Sequence, residues 1–283
     1  MDAASFLAGS GKERIGRFRA RLKRAAGNPA SEEAVHDLRV SIRRLLAWIA
    51  AWEGLLGPDP GMGHARSSLE KLMSPLGKLR DAHVKRDWIR NLLPEGDAPS
   101  YRYAILVASD VLRRERACRR LLRERGPARI RIGIPEDPAA PGPGDDVRAA
   151  ARRLLAGSAR EVTRFRHDAL DPANPAALHR MRLAFKRHRY LREVFAPLFP
   201  DAGGTVAKRH QDFQTLLGTI HDCDVILAES RSFMKGIPGR RGGGSAVETV
   251  FSRLREERFL EFRRVAGTAR GLDGILHAGL RTR

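Results

Sequence analysis

From Val35 to Trp52 the apolar residues Val35, Leu38, Ile42, Leu45, Ile49 and Trp52 fall at alternating spacings of three and four, the period of one face of an α-helix. Amphipathic stretches of the same kind run over about 3–26, 63–92, 100–125, 145–168, 174–199, 204–234 and 245–279. They are separated by the breaker clusters GPDPGMG, LPEGDAP and GIPGRRGGG, whose glycines and prolines disfavour a helix. The pattern predicts eight helices and no strand. Pro75 lies inside the third stretch and predicts a kink or break, because proline has no N–H to give the preceding turn.

The same pattern recurs along the chain. VHDLRVSIRRL from Val35 returns as LHRMRLAFKRH from Leu178, LGKLRDAHV from Leu76 as LGTIHDCDV from Leu217, and LRRER from Leu112 as LREER from Leu254. The offsets are 143, 141 and 142 residues, close enough to mark an internal duplication. RFR at Arg17 and RFR at Arg164 form a weaker fourth pair. The richest breaker segment, Gly126 to Asp146, sits between the copies. The expected organisation is therefore a first four-helix half over 1–125, a Pro/Gly-rich linker over 126–144 and a second four-helix half over 145–283. Short loops within each half predict two antiparallel four-helix bundles related by a pseudo-two-fold axis.

Charge narrows the function. Lys and Arg number 53 against 33 acidic residues, giving a formal net charge of +20 and a pI near 11.2. Such an excess repels itself in a compact fold unless an anion neutralises it. Most of the cations are arginines, whose planar fork matches two phosphate oxygens at once. The two cysteines, Cys118 and Cys223, make no metal knuckle or disulfide framework. The N-terminal residues lack the pattern of a secretory signal, and no stretch approaches the roughly 18 apolar residues of a membrane span. A cytoplasmic protein with no membrane association is expected.

His36, Arg39 and Arg43 share one helix stripe, with Arg44 widening it, and His179, Arg182, Lys186 and Arg187 repeat the arrangement. Either stripe alone reads as a solvated helix face. Recurrence of His-x-x-Arg-x-x-x-basic-basic at matched helical phase asks for a common reason, and a polyanionic chain held between cationic walls supplies one. A histidine there would add charge when phosphate binds or act as a neutral donor.

These paired segments, together with LRDAHV and HDCDV and the four-plus-four helix plan, resemble the CHAD domain, the conserved histidine α-helical domain, over most of the chain. The resemblance implies two four-helix bundles, a basic central groove or pore, and binding of inorganic polyphosphate, with targeting to polyphosphate granules in some members. It implies ligand contacts at His36, Arg39, Arg43, Arg44, His179, Arg182, Lys186 and Arg187. Lys78, Arg86, Arg113, Arg114, Lys208, Arg209, Arg255 and Arg258 are candidate outer contacts. The copies also differ, because Arg80 stands opposite His221 and His83 opposite Asp224, so the site is not perfectly symmetric. Asp81 and Asp222 match each other and are expected to orient neighbouring arginines as ion-pair partners.

Other classes fit less well. The His-Asp pairs at His36, His167 and His221 invite a metal-dependent phosphohydrolase, yet the repeat replaces Asp37 by Arg180 and His221 by Arg80. No GxxxxGK[ST] loop, GxSxG elbow or Glu-x-Glu-x-Lys motif occurs. No enzyme, metal or cofactor is therefore expected. Nucleic acid is the runner-up ligand, at most weakly held, because Trp48, Trp52 and Trp88 fall in helical patterns that favour burial over base stacking. A protein-docking scaffold is a third reading, and the oligomeric state is unreadable.

Overall fold

The computed structural model describes residues 2–28, 31–92, 97–124, 130, 132–135, 146–199, 203–237 and 244–278. Every regular element among the described residues is helical: α1 (Ala3–Gly27), α2 (Glu32–Leu56), α3 (Pro60–Leu92), α4 (Ala98–Glu124), α5 (Val147–Arg164), α6 (Arg166–Ala169), α7 (Pro175–Phe195), α8 (Gly203–Lys235), α9 (Ala246–Ala266) and α10 (Ala269–Leu276), with a 3-10 turn at Ala196–Leu198. Several starts are written locally. Ser31 accepts from the Ala34 N–H at 3.1 Å, and Ser245 accepts from the Glu248 N–H at 3.3 Å, each side chain satisfying a donor that the first helical turn leaves open.

The helices depart from the sequence expectation in three places. Of the kink or break expected at Pro75, the break does not occur: α3 stays helical through it. Leu69, Leu72, Leu76 and Leu79 are all buried on the same face, and their packing outweighs the proline penalty of about 3 kcal/mol. The stretch over 145–168 is interrupted at Phe165, between α5 and α6. The last stretch breaks after Ala266, where a Cβ on Gly267 would lie 2.3 Å from the Arg263 carbonyl oxygen. Arg166 caps that end, donating to Ala266 O at 2.6 Å and Gly267 O at 2.7 Å, a cation placed on the carbonyl pole of α9.

The chain packs as two compact units, neither continuous in sequence. Unit 1 comprises Met1–Arg80, Arg113–Ser158 and Arg187–Pro200, and unit 2 comprises Asp81–Leu112, Ala159–Lys186 and Asp201–Arg283. These packing units differ from the halves that the sequence repeat defines.

In unit 1, α1 lies against α2. Phe6, Leu7, Ile15, Phe18 and Leu22 of α1 and Leu38, Ile42, Leu45, Trp48 and Trp52 of α2 are buried. The Trp48 indole donates to the Leu7 carbonyl at 2.9 Å. That approach requires Gly11, because a Cβ there would meet the indole at 2.4 Å. Of the expected linker, only residues 130 and 132–135 are described; Ile130 and Ile132 are buried, and Arg19 donates to the Ile132 carbonyl at 3.0 Å. The rest of 126–144 lies outside the described residues.

Unit 2 holds two apolar clusters. One gathers Ala177, Leu178, Met181 and Phe185 of α7 with Phe213, Leu217 and Ile220 of α8 and Phe262, Leu272 and Leu276. The other joins Ile89, Tyr103 and Val107 to Cys223, Ile226, Val247 and Phe251. The segment of α8 between the clusters carries His221 and Asp222.

Gly11→Ala is expected to lower stability by about 1–3 kcal/mol, since an over-packed core must shift. Gly16→Ala on the same helix meets open space and is expected to be neutral or stabilising by up to about 1 kcal/mol. Urea denaturation of the two variants beside the wild type checks both.

Candidate polyanion-binding site

In unit 2, α7 brings His179, Arg182 and Lys186 to one side, and α8 delivers His221 to the same place. The His179 and His221 Nδ1 atoms are 3.2 Å apart, with ring centroids at 4.4 Å. A hydrogen bond between two imidazoles needs one ring to donate and the other to accept. In this arrangement the pair carries at most one positive charge.

The surroundings hold that charge off. Burial, then Arg182, His179 and Lys186, push the His221 pKa down to about 3. Burial, then Arg182 and Lys186, lower that of His179. Both rings are neutral near pH 7 while their neighbours remain cationic.

Unit 1 repeats the theme with different chemistry. His36 is exposed at the start of the α2 stripe, and its pKa is lowered by partial burial, then by Arg80, Arg39 and Arg43, with Asp37 opposing. Arg80 arrives from α3, as His221 arrives from α8, so the repeat-matched helix supplies the second member of each cluster. Arg80 is a permanent cation, whereas His221 is titratable. Arg80 and His221 are the residues that the stripe pattern alone omits. Their signal was the aligned position in the second repeated block, where a mismatch of residue type stood for a match of place.

The stripe residues are not equally accessible. Arg39 is only 7% exposed, and its charge is near the buried Cys118, whose thiol burial pushes up to about 11. Arg43 is half-buried and donates to the Tyr190 hydroxyl at 3.3 Å. Arg182 and Lys186 are half-buried, and Arg187 is exposed. Lys186 closes one segment of unit 2 and Arg187 opens one of unit 1. Arg44 turns aside: its Nε donates to Glu193 at 2.8 Å, and it lines a cavity against α1.

Among the outer candidates, Lys78, Arg113 and Arg209 are exposed and Arg114 is half-buried. Arg86 bonds to Asp87 at 2.7 Å, Lys208 to Asp212 at 2.7 Å and Arg258 to Glu261 at 2.9 Å, local pairs of small energetic weight. Arg255 is tied into unit 2 by Asp224 at 2.5 Å and the Pro172 carbonyl at 2.9 Å. Asp222 is half-buried and Asp81 exposed. Asp224 thus holds an arginine in this segment, and Asp81 joins no ion pair among the described residues.

Among the described residues no group of three or more His, Cys, Asp or Glu could hold a metal ion, and no helix is long and apolar enough to cross a membrane.

The histidines also set an acid limit. Unfolded imidazoles titrate near 6.5, and His36, His179 and His221 lie lower in the fold. The unfolded chain therefore binds more protons, and stability falls as pH drops below about 6.5. In thermal denaturation between pH 7.5 and 4.5, His221→Gln is expected to lose less stability than the wild type. Equal losses would overturn the assignment of a buried, neutral His221.

Comparison with known proteins agrees with this geometry at the level of fold and family. The structure is similar to that of the CHAD domain from the plant Ricinus communis, with a TM-score of 0.58 and 21% sequence identity over 98% of this chain and 92% of that one. It is also similar to PptA from Streptomyces chartreusis, with a TM-score of 0.57 and 19% identity over 93% of this chain and 96% of that one. No curated protein matches the sequence. The sequence model of the CHAD domain matches residues 12–231, and the chain belongs to the CHAD domain family.

Proposed function

We propose that this protein binds inorganic polyphosphate without acting on it, through the two repeat-matched clusters: His36, Arg39, Arg43 and Arg80 in one, His179, Arg182, Lys186 and His221 in the other. The observation that carries the reading is electrostatic. Each cluster gathers cations around an imidazole whose pKa is held below its ordinary value by burial and then by those cations, and a phosphate chain supplies the missing negative charge. Association of the CHAD family with polyphosphate supports the same ligand. The finer plan belongs to this proposal as well: duplicated halves over 1–125 and 145–283, two four-helix bundles with a basic central groove, and a cytoplasmic protein recruited to polyphosphate granules.

Arginine forks fix adjacent phosphate oxygens, and a long chain engages many such contacts at once. Bases are not needed. Trp48 and Trp52 are buried and Trp88 is half-buried beside Phe251, so none of the three offers an open stacking platform of the kind single-strand binders use.

Binding is tested with end-labelled polyphosphate at several salt concentrations, with RNA as competitor, on the wild type and on a folded variant carrying His36→Ala, Arg43→Glu, His179→Ala and Lys186→Glu. Arg39 is left intact because a carboxylate at so buried a position would test folding instead. Affinity is expected to rise with chain length, fall with salt and drop at least about a hundredfold in the variant, the loss of a few charge-assisted contacts. Unchanged binding in the variant, or equal displacement by RNA, would favour a general nucleic-acid binder.

The histidines give a second readout. A bound polyanion raises the imidazole pKa values, so the complex takes up protons and affinity rises as pH falls from 8 towards 6. Calorimetry in buffers of different ionisation enthalpy measures that uptake, which His179→Gln with His221→Gln is expected to reduce.

A further inference from the structure

Arg44 points to a second site. On α2 it lies about 80–100° around the helix from His36 and Arg43, by the 3.6-residue period. It faces instead a cavity of about 280 Å³ in unit 1, lined by Arg14, Arg17 and Arg21 of α1 with Glu13, Ser41, Glu193 and Ala196. Positions 14, 17 and 21 share one stripe of α1. We infer that this cavity binds a short inorganic phosphate anion, of pyrophosphate or tripolyphosphate size, independently of the histidine clusters.

The arginines are held in place by one edge each. Arg14 donates to the Ser10 carbonyl at 3.0 Å and the Glu193 carbonyl at 3.2 Å. Arg44 uses its Nε on Glu193, Arg17 pairs with Glu13, and the Arg21 Nε lies 3.7 Å from Asp37. Protein acceptors among the described residues leave N–H donors on Arg17, Arg21 and Arg44 untaken. The Ser41 hydroxyl is spent on the Leu38 carbonyl at 2.7 Å, so the donors on offer are guanidinium groups.

Charge selects an anion of more than one unit. Arg189 also pairs with Glu193, so five guanidiniums face the three carboxylates of Glu13, Asp37 and Glu193. Burial lowers the Arg14 pKa, Glu13 and Glu193 oppose that shift, and Arg44 and Arg17 add to it; by count, two of the five guanidiniums have no carboxylate of their own. Glu193 opposes an anion but also fixes the forks of Arg44 and Arg189, which lowers the ordering cost of binding. Size and lining select a small ligand without a base: the cavity lies just below the roughly 300–1,000 Å³ typical of ligand pockets, and no aromatic ring lines it.

The test is calorimetric titration with pyrophosphate and tripolyphosphate of the wild type, an Arg17→Ala, Arg21→Ala variant, and the variant altered at His36, Arg43, His179 and Lys186. Loss of about tenfold or more in pyrophosphate affinity is expected in the first variant, the worth of one charge-assisted contact, with the second variant close to wild type. No binding by the wild type, or equal binding by the Arg17→Ala, Arg21→Ala variant, would overturn the inference. Loss only in the second variant would also overturn it, by moving short phosphates to the histidine clusters. Displacement of pyrophosphate by long polyphosphate would identify a chain segment as the occupant, and its absence the free anion; either result keeps the cavity as the site. Failure of the long-chain reading leaves the pyrophosphate result untouched, so the two proposals are separately falsifiable.

Discussion

Placing many guanidiniums and imidazoles close together without enough carboxylates is the constraint from which the rest of the structure follows. Like charges a few ångströms apart in a partly dehydrated setting repel strongly, and the fold meets this in two ways. Where a carboxylate is within reach, it is shared: Glu193 serves Arg44 and Arg189, and Asp37 lies near both Arg21 and Arg24. Elsewhere the group that can lose its proton does so: burial first, and then the neighbouring cations, keep His36, His179 and His221 uncharged, with Asp37 opposing at His36. Repulsion retained at a surface is what an incoming anion relieves.

Apolar packing has to hold that frame against its own charge. The α1–α2 contact is built on the Trp48 indole seated against Gly11, and the α8–α9 region on the rings of Phe213, Phe259 and Phe262, with Phe213 and Phe262 centroids at 6.2 Å and Phe259 and Phe262 at 5.8 Å. Aromatic rings are few in this chain, and these sit where large buried area is needed. The cations are thereby left to the surfaces and cavities of the helices.

The helices were legible because each buries one stripe, and Val35 to Trp52 shows why: every residue of that stripe is buried. Pro75 and Gly267 were not legible in the same way. Whether a proline breaks a helix depends on what its flanking leucines find to pack against, and whether a glycine ends one depends on a carbonyl four residues back and on Arg166 a hundred residues upstream. The site divides similarly. Repetition of the His-Arg-basic pattern marked both clusters, and the aligned block marked Arg80 and His221. Arg44 was assigned to the stripe by adjacency in sequence, although one step along a helix turns a side chain by about 100°; only the position of Glu193, from α7, shows where its charge goes.

The burial of Trp48 has a practical side. An indole in a dry environment emits at shorter wavelength and is poorly reached by dissolved quenchers, and Trp48 and Trp52 are both of this kind, in unit 1. Trp88, half-buried in unit 2, is of the other kind. The two units thus carry optical labels of different colour and accessibility, and loosening of one is visible in fluorescence separately from loosening of the other, with no dye attached to the chain.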